Sequence, residues 1–466
     1  MICPAPYKRA PAPWHAPAQQ VVIILTVVGL CASFGAMLSY LPASKTQIGA
    51  DPYYYAEIVK DPIYYVFHTT EILLLVSAGL LALWLTNPRE ITGGFLWRFA
   101  LFLAAGGLMA ARGYTLDALL STKLVDATGP FMCLISGLIF VGVRRSNWVV
   151  IDKAFLATAA ALSVVTLYEI ADLHTASRVE AIRSMLPAVN ALFCPAAWVA
   201  MRPYTRSAFG RCVRFAPMAV YALGSLFTEM RLNLVMLLLL LGMCSYVDHR
   251  RGAPQAKRWV MASAMIVWLV MFWTVFLVDM PALQKLDAAT AGLYSRLDED
   301  SRTGQVKEFF EAVRPQELLL GRGSFATWRW GRLEWNGGTD VGYLNLLLYG
   351  GVPLLVTYLA VHAAPSLAVL RRRPKGLVLT AGVLVLLWTI RMLSTGTPSL
   401  ELDYYPVLIC VGACISREPE LGRAKRRCYG SSRAGLSPWC TDGNAASLIE
   451  ADHSSRLEPI ALQMSR

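Results

Sequence analysis

The densest polar chemistry in this sequence lies in one stretch, LLLGRGSFATWRWGRLEWNGGTDVGYLNLLLYGG, from Leu318 to Gly351. It holds three arginines (Arg322, Arg329, Arg332), four aromatics before Asp340, and then an acid that opens an apolar run. Guanidinium forks bind phosphate or diphosphate through paired hydrogen bonds. The flat faces of Trp328, Trp330 and Trp335 suit sugar rings, and the same Trp and Arg mixture also suits the anchoring of a helix end at a membrane boundary. Asp340 is a carboxylate placed to accept a proton or orient a hydroxyl.

Other charges stand at the edges of apolar runs, where they are costly and usually have a task. Arg231 and Asn233 open one run in SLFTEMRLNLVMLLLLLG, with Glu229 close enough to pair with Arg231. Arg391 closes another in TIRMLSTGTPSLELDYY. Each of these arginines can be a snorkelling side chain with its counter-ion or part of an anion site. The histidines are scattered and HExxH is absent, so no metal and no cofactor is expected. GRG at Gly321 to Gly323 lacks the GK[ST] ending of a nucleotide-binding loop. The ten cysteines show no CxxC pair, and none falls between 281 and 339, which excludes a disulfide framework there.

The elements that must position these groups are membrane spans. The chain has 466 residues, 56% hydrophobic and 16% charged, against about 25% charged in soluble domains. Apolar runs of spanning length fall at 21–41, 63–86, 94–111, 128–143, 148–168, 184–201, 212–228, 231–247, 259–280, 340–362, 376–394 and 401–416. That predicts an all-α polytopic bundle of about twelve spans, with residues 1–20 and the polar tail 417–466 cytoplasmic and the tail disordered. With the N-terminus inside, nineteen basic residues fall in inner loops and eight in the opposite short ones, the asymmetry expected of membrane topology. The net charge of +12 is explained this way, with no nucleic acid.

One large outer loop remains, 281–339, with eight basic and eight acidic residues. Within it Val306, Phe309, Phe310 and Val313 recur at helical spacing, Ser301 is placed to cap the helix, and Pro315 ends the pattern. Such an amphipathic helix suits the membrane surface or the side of the bundle.

Taken in order, these pieces resemble the bacterial O-antigen polymerases and ligases. The resemblance covers about a quarter of the chain, Arg231 to Gly351. It rests on EMRLNLVMLLLLLG, on the arginine-led SRTGQVKEFFEAVRPQELLLGRGSF, and on TDVGYLNLLLYGGVPLL with Asp340, Tyr343, Leu344 and Gly350. It implies a C-type glycosyltransferase-like bundle in the bacterial inner membrane. The implied enzyme is metal-independent and moves a glycan from undecaprenyl diphosphate onto another lipid-linked repeat at the periplasmic face. Arg231 and Arg302 would stabilise the leaving diphosphate and Asp340 would serve the acceptor hydroxyl. Arg322, Arg391, Glu229, Tyr343, Trp328 and Trp330 would bind substrate. Membrane lipids, a chain-length regulator and a flippase of the same pathway are the implied partners. Ligases of the family carry a histidine where Asp340 stands, which favours a polymerase of O-antigen or exopolysaccharide. A ligase, or a transporter or flippase of lipid-linked glycan, is the alternative.

Overall fold

The computed structural model describes residues 15–46, 62–113, 133, 135–172, 178–202, 208–228, 231–251, 301–323, 326, 328–330, 333–335, 341–372, 376–393 and 402–417. The ninth run (259–280), residues 281–300 of the large loop and the tail beyond 417 lie outside them. The helices are α1 (His15–Thr46), α2 (Pro62–Leu85), α3 (Phe95–Gly113), α4 (Trp148–Asp172), α5 (Arg178–Ala200), α6 (Ala208–Phe227) and α7 (Arg231–Arg250). Two short helices follow in the large loop, α8 (Ser301–Ala312) and α9 (Pro315–Leu320), then the two-stranded hairpin β1 (Trp328–Trp330) and β2 (Leu333–Trp335). The remaining described helices are α10 (Gly342–Val361), α11 (Ala363–Arg372), α12 (Leu377–Arg391) and α13 (Tyr404–Ile415).

The architecture is a helical bundle, with helices among the described residues of most of the apolar runs. Every backbone polar group in hydrocarbon needs an internal partner, and a helix supplies it. Among the described residues, five stretches are long and apolar enough to cross a membrane: Ala16–Ser39, Pro62–Leu85, Phe95–Arg112, Arg145–Ala171 and Gly342–Arg372. Shorter apolar helices cover Met185–Ala200, Val213–Phe227, Leu377–Arg391 and Tyr404–Ile415. Large side chains such as Leu73, Leu80, Val164 and Tyr168 point outward, as lipid-facing residues do.

Contacts between helix ends fix the direction of each helix. At one end, here the proximal end, Gln19 at the start of α1 meets Ser146 and Asn147 before α4, and Arg144 donates to Leu85 O at the end of α2. Asp152 of α4 accepts from Trp198 and Arg202 at the end of α5. Arg214 of α6 pairs with Asp248 of α7 at 2.8 Å, and Arg251 donates to Thr380 of α12. At the opposite, distal end, Arg112 closes α3 by donating to Leu320 O of α9 at 2.6 Å. There too Gly342 N, opening α10, donates to Met392 O at 3.0 Å. The start of α1 and the end of α13 therefore share the proximal end, and the large-loop helices sit at the distal one.

The run 128–143 is described at 133 and 135–143, and within it Ser136–Val143 is a 3₁₀ helix with all eight residues buried. At about 2 Å per residue such a segment covers roughly half the hydrocarbon thickness. It is enclosed by α2 and α13 through facing glycines. A Cβ on Gly79 would lie 2.7 Å from Gly137 C, and one on Gly412 would lie 2.8 Å from Gly142 Cα. Small residues let backbones approach closely where lipid gives no hydrophobic drive between helices.

The loop helix α8 spans the predicted amphipathic segment, with Phe309 and Val313 buried and Phe310 exposed. Pro315 does end α8, and it also opens α9, because proline lacks only an N–H that a first turn leaves unpaired anyway. The hairpin, with Trp328 opposite Trp335, is an addition to the elements that periodicity predicts.

Candidate functional site

A buried polar centre runs inward from the distal end, built from the opening of α13. Asp403, Tyr404 and Tyr405 are consecutive and buried, and each reaches a different helix. Asp403 accepts from Arg391 Nη1 of α12 at 3.0 Å. Tyr404 OH lies 2.8 Å from His362 Nε2, just beyond α10, and Tyr405 OH donates to Glu71 of α2. Arg391 is only 2% exposed and also donates to Asn190 Oδ1 of α5 at 2.9 Å. Its guanidinium carbon lies 4.8 Å from the ring centroid of Phe193 and 5.4 Å from that of Trp388. Arg391 is thus a tightly held pin between α5, α12 and α13, with its charge already answered by a carboxylate.

Glu71 carries a second relation. Its other oxygen is 2.9 Å from His68 Nδ1 one turn earlier on α2, and Tyr64 stacks on that imidazole. Metal-ligand spacing in the sequence does not reveal the trio of His68, Glu71 and Tyr405, because it holds a single histidine. The available signal is an acid inside the run 63–86.

Helix α10 is broken. Gly351 has φ +69°, and Pro353 follows. The break strips Leu348 O of its helical donor, and Pro353 has no N–H for Tyr349 O. The loop supplies both: Arg322 N donates to Leu348 O at 2.7 Å and Gly323 N to Tyr349 O at 2.9 Å. Gly321 adopts φ +73°, and a Cβ there would strike the Tyr349 carbonyl. Gly321 is thus needed for close backbone approach, which an unsatisfied carbonyl in hydrocarbon makes worthwhile, and Gly323 holds a positive φ of 104°.

The Arg322 side chain folds back onto the loop, donating to Glu317 Oε2 at 2.9 Å and Ala312 O at 3.3 Å. The Glu317 carboxyl is held below its ordinary pKa by the hydrogen bond from Arg322 and then by the one from Arg314 N. A depressed folded pKa gives stability that is present above the unfolded pKa and is lost as pH falls through the folded one. The clasp is therefore expected to loosen only in the acid range below about 4.3. Amide hydrogen exchange across 314–323 should speed up there, and in Glu317→Gln it should be fast and pH-flat apart from the chemical exchange rate.

The remaining candidates divide. Arg231 is the first residue of α7 and Arg302 the second of α8. Asn233, two residues beyond Arg231, is fully buried, and neither atom of its amide makes a hydrogen bond among the described residues. Tyr343 donates from its hydroxyl to Thr389 O of α12. Trp328 is buried against Phe309, so its face serves the packing of the loop. Trp330 lies in β1. Asp340 and Glu229 fall outside the described residues. The backbone just after Asp340 is nonetheless fixed, since Gly342 bonds to Met392, the neighbour of Arg391. The structure thus brings the opening of α10, the end of α12 and the GRG turn onto the distal end together. Among the described residues no group of three metal-ligating side chains occurs.

No family model matches the chain, and neither does a curated protein or a solved structure.

Proposed function

We propose that this membrane protein polymerises undecaprenyl-diphosphate-linked oligosaccharide repeats at the periplasmic face, as an O-antigen or exopolysaccharide polymerase. The distal end would then be periplasmic and both termini cytoplasmic. The observation that carries the reading is the seating of the GRG turn on the broken α10. It ties the arginine-led helix α8 to the span that Asp340 precedes, in the order that the family resemblance implies. The buried amide of Asn233 beside Arg231, unbonded among the described residues, supports a polar ligand at the start of α7. In this reaction the acceptor hydroxyl attacks the anomeric carbon, its proton passes to Asp340, and the lipid diphosphate leaves into the field of Arg231 and Arg302. The protein's task is charge stabilisation and orientation.

A transporter or flippase of lipid-linked glycan is the second reading. The buried His68, Glu71 and Tyr405 favour it, since ionisable groups inside spans often mark transport paths. One complementation experiment separates the two. Arg231→Ala, Arg302→Ala and Asp340→Ala, each in a strain lacking the protein, should leave single repeat units on the lipid acceptor in place of a ladder. Loss of each guanidinium is expected to cut polymer by about 100-fold or more. Normal ladders in all three variants would overturn the site. Absence of any repeat at the outer surface would favour the flippase.

A further inference from the structure

A different surface, at the proximal end, has the make-up of a lipid site. The turn from Pro88 to Gly94 joins α2 to α3 and is stitched to the end of α13. Thr92 N donates to Ile415 O at 2.9 Å, Arg417 N donates to Glu90 O at 2.7 Å, and Ile91 and Ser416 form an antiparallel bridge between them. The stitch lays Arg417 over Gly93, where a Cβ would sit 3.5 Å from its Nη2. Arg98 reaches back from α3 to the next residue, with Nε 3.4 Å from Gly94 O and Nη1 3.5 Å from Ala360 O. Two guanidinium groups thus converge on a Gly-Gly turn, and Arg89 on the same turn is exposed.

The described carboxylates nearby are engaged elsewhere. Glu90 is the one carboxylate in the turn, and its Oε2 faces Arg144 at 3.9 Å. Among the described residues Arg89, Arg98 and Arg417 make no ion pair. Like charges that reach the same turn favour an anion between them. The surroundings say which kind. Trp84 and Trp97, 67% and 69% exposed, flank the turn as indole rings do at a headgroup boundary. Trp97, Leu101 and Leu108 then continue down one exposed apolar face of α3.

We propose that the Pro88–Gly94 turn seats the phosphate of an anionic phospholipid between Arg98 and Arg417, with an acyl chain along the Trp97, Leu101 and Leu108 face. A guanidinium pair matches the phosphodiester oxygens in fork geometry, and the apolar track excludes a freely soluble anion. The site is independent of the glycan chemistry at the other end.

The test uses the full-length protein in mild detergent with equal amounts of phosphatidylglycerol and phosphatidylcholine, read by native mass spectrometry. The wild type should retain one phosphatidylglycerol in preference to phosphatidylcholine. Arg98→Gln with Arg417→Gln should weaken that retention about thirty-fold, given two charges near an anionic headgroup. Arg371→Gln with Arg372→Gln, at the exposed end of α11, should leave it unchanged. Equal loss in that control would reduce the effect to the general basic charge of this end and overturn the proposal. So would full retention in the first pair, or displacement of the lipid by inorganic phosphate at equal concentration. All four substitutions are at partly or fully exposed positions, and an unchanged melting curve confirms that each variant folds.

Discussion

Asp403→Ala is expected to destabilise the bundle by about 3–5 kcal/mol, because it leaves Arg391 charged and without its carboxylate inside the protein. Arg391 is 2% exposed and Asp403 3%, so water cannot take over the lost contact. Asn190 and the rings of Phe193 and Trp388 would remain, but an amide and two quadrupoles do not replace a negative charge at 3.0 Å. Arg391→Ala should cost a similar amount for the mirrored reason. Removing both charges together, as Arg391→Met with Asp403→Leu, should recover much of the loss, since apolar replacement of a buried pair is often near neutral. Thermal unfolding in detergent reads all three. A wild-type melting point for Asp403→Ala would mean that the pair does not hold α12 to α13.

Gly142→Ala and Gly412→Ala should each cost at least about 3 kcal/mol, at or beyond the top of the usual overpacking range. A methyl at Gly142 overlaps the carbonyl oxygen of Ile409, and one at Gly412 overlaps that of Ile139. Both obstacles are backbone, so no side chain can swing aside. Gly107 and Gly242 are the controls: both are helical, and a methyl at either would have nothing within 4 Å. Alanine at either should be neutral or stabilising by up to about 1 kcal/mol, since it restricts the unfolded chain. Expression level and melting point should separate the two pairs cleanly. Equal behaviour would show that the backbones of Ser136–Val143 and α13 can part without cost.

The contrast between these positions also shows what a sequence conveys and what it does not. Apolar length locates the helices, because a spanning segment must satisfy its own backbone bonds. Helix α8 is legible because Val306, Phe309 and Val313 repeat at helical spacing. The 3₁₀ winding of Ser136–Val143 is not, since an apolar run reads alike however tightly it is wound. The break in α10 is written in GGVP, but its meaning depends on donors from GRG some thirty residues earlier. The pairing of Arg391 with Asp403 needs two helix ends to meet in space. At the site, residue type alone points to Arg322 and Trp328 for ligand contact. Their side chains instead hold Glu317 and Phe309, a choice made by local packing that no composition reveals.

The enclosed Ser136–Val143 segment also constrains how the protein is made. One wall of its housing, α13, is translated more than 250 residues after it. Until α13 arrives, an eight-residue wedge has to wait half-sheltered against α2. Biogenesis is therefore a closing zipper in which α13 is a late tooth. Chains truncated before Tyr404 should be held by membrane quality control, however well their earlier helices insert.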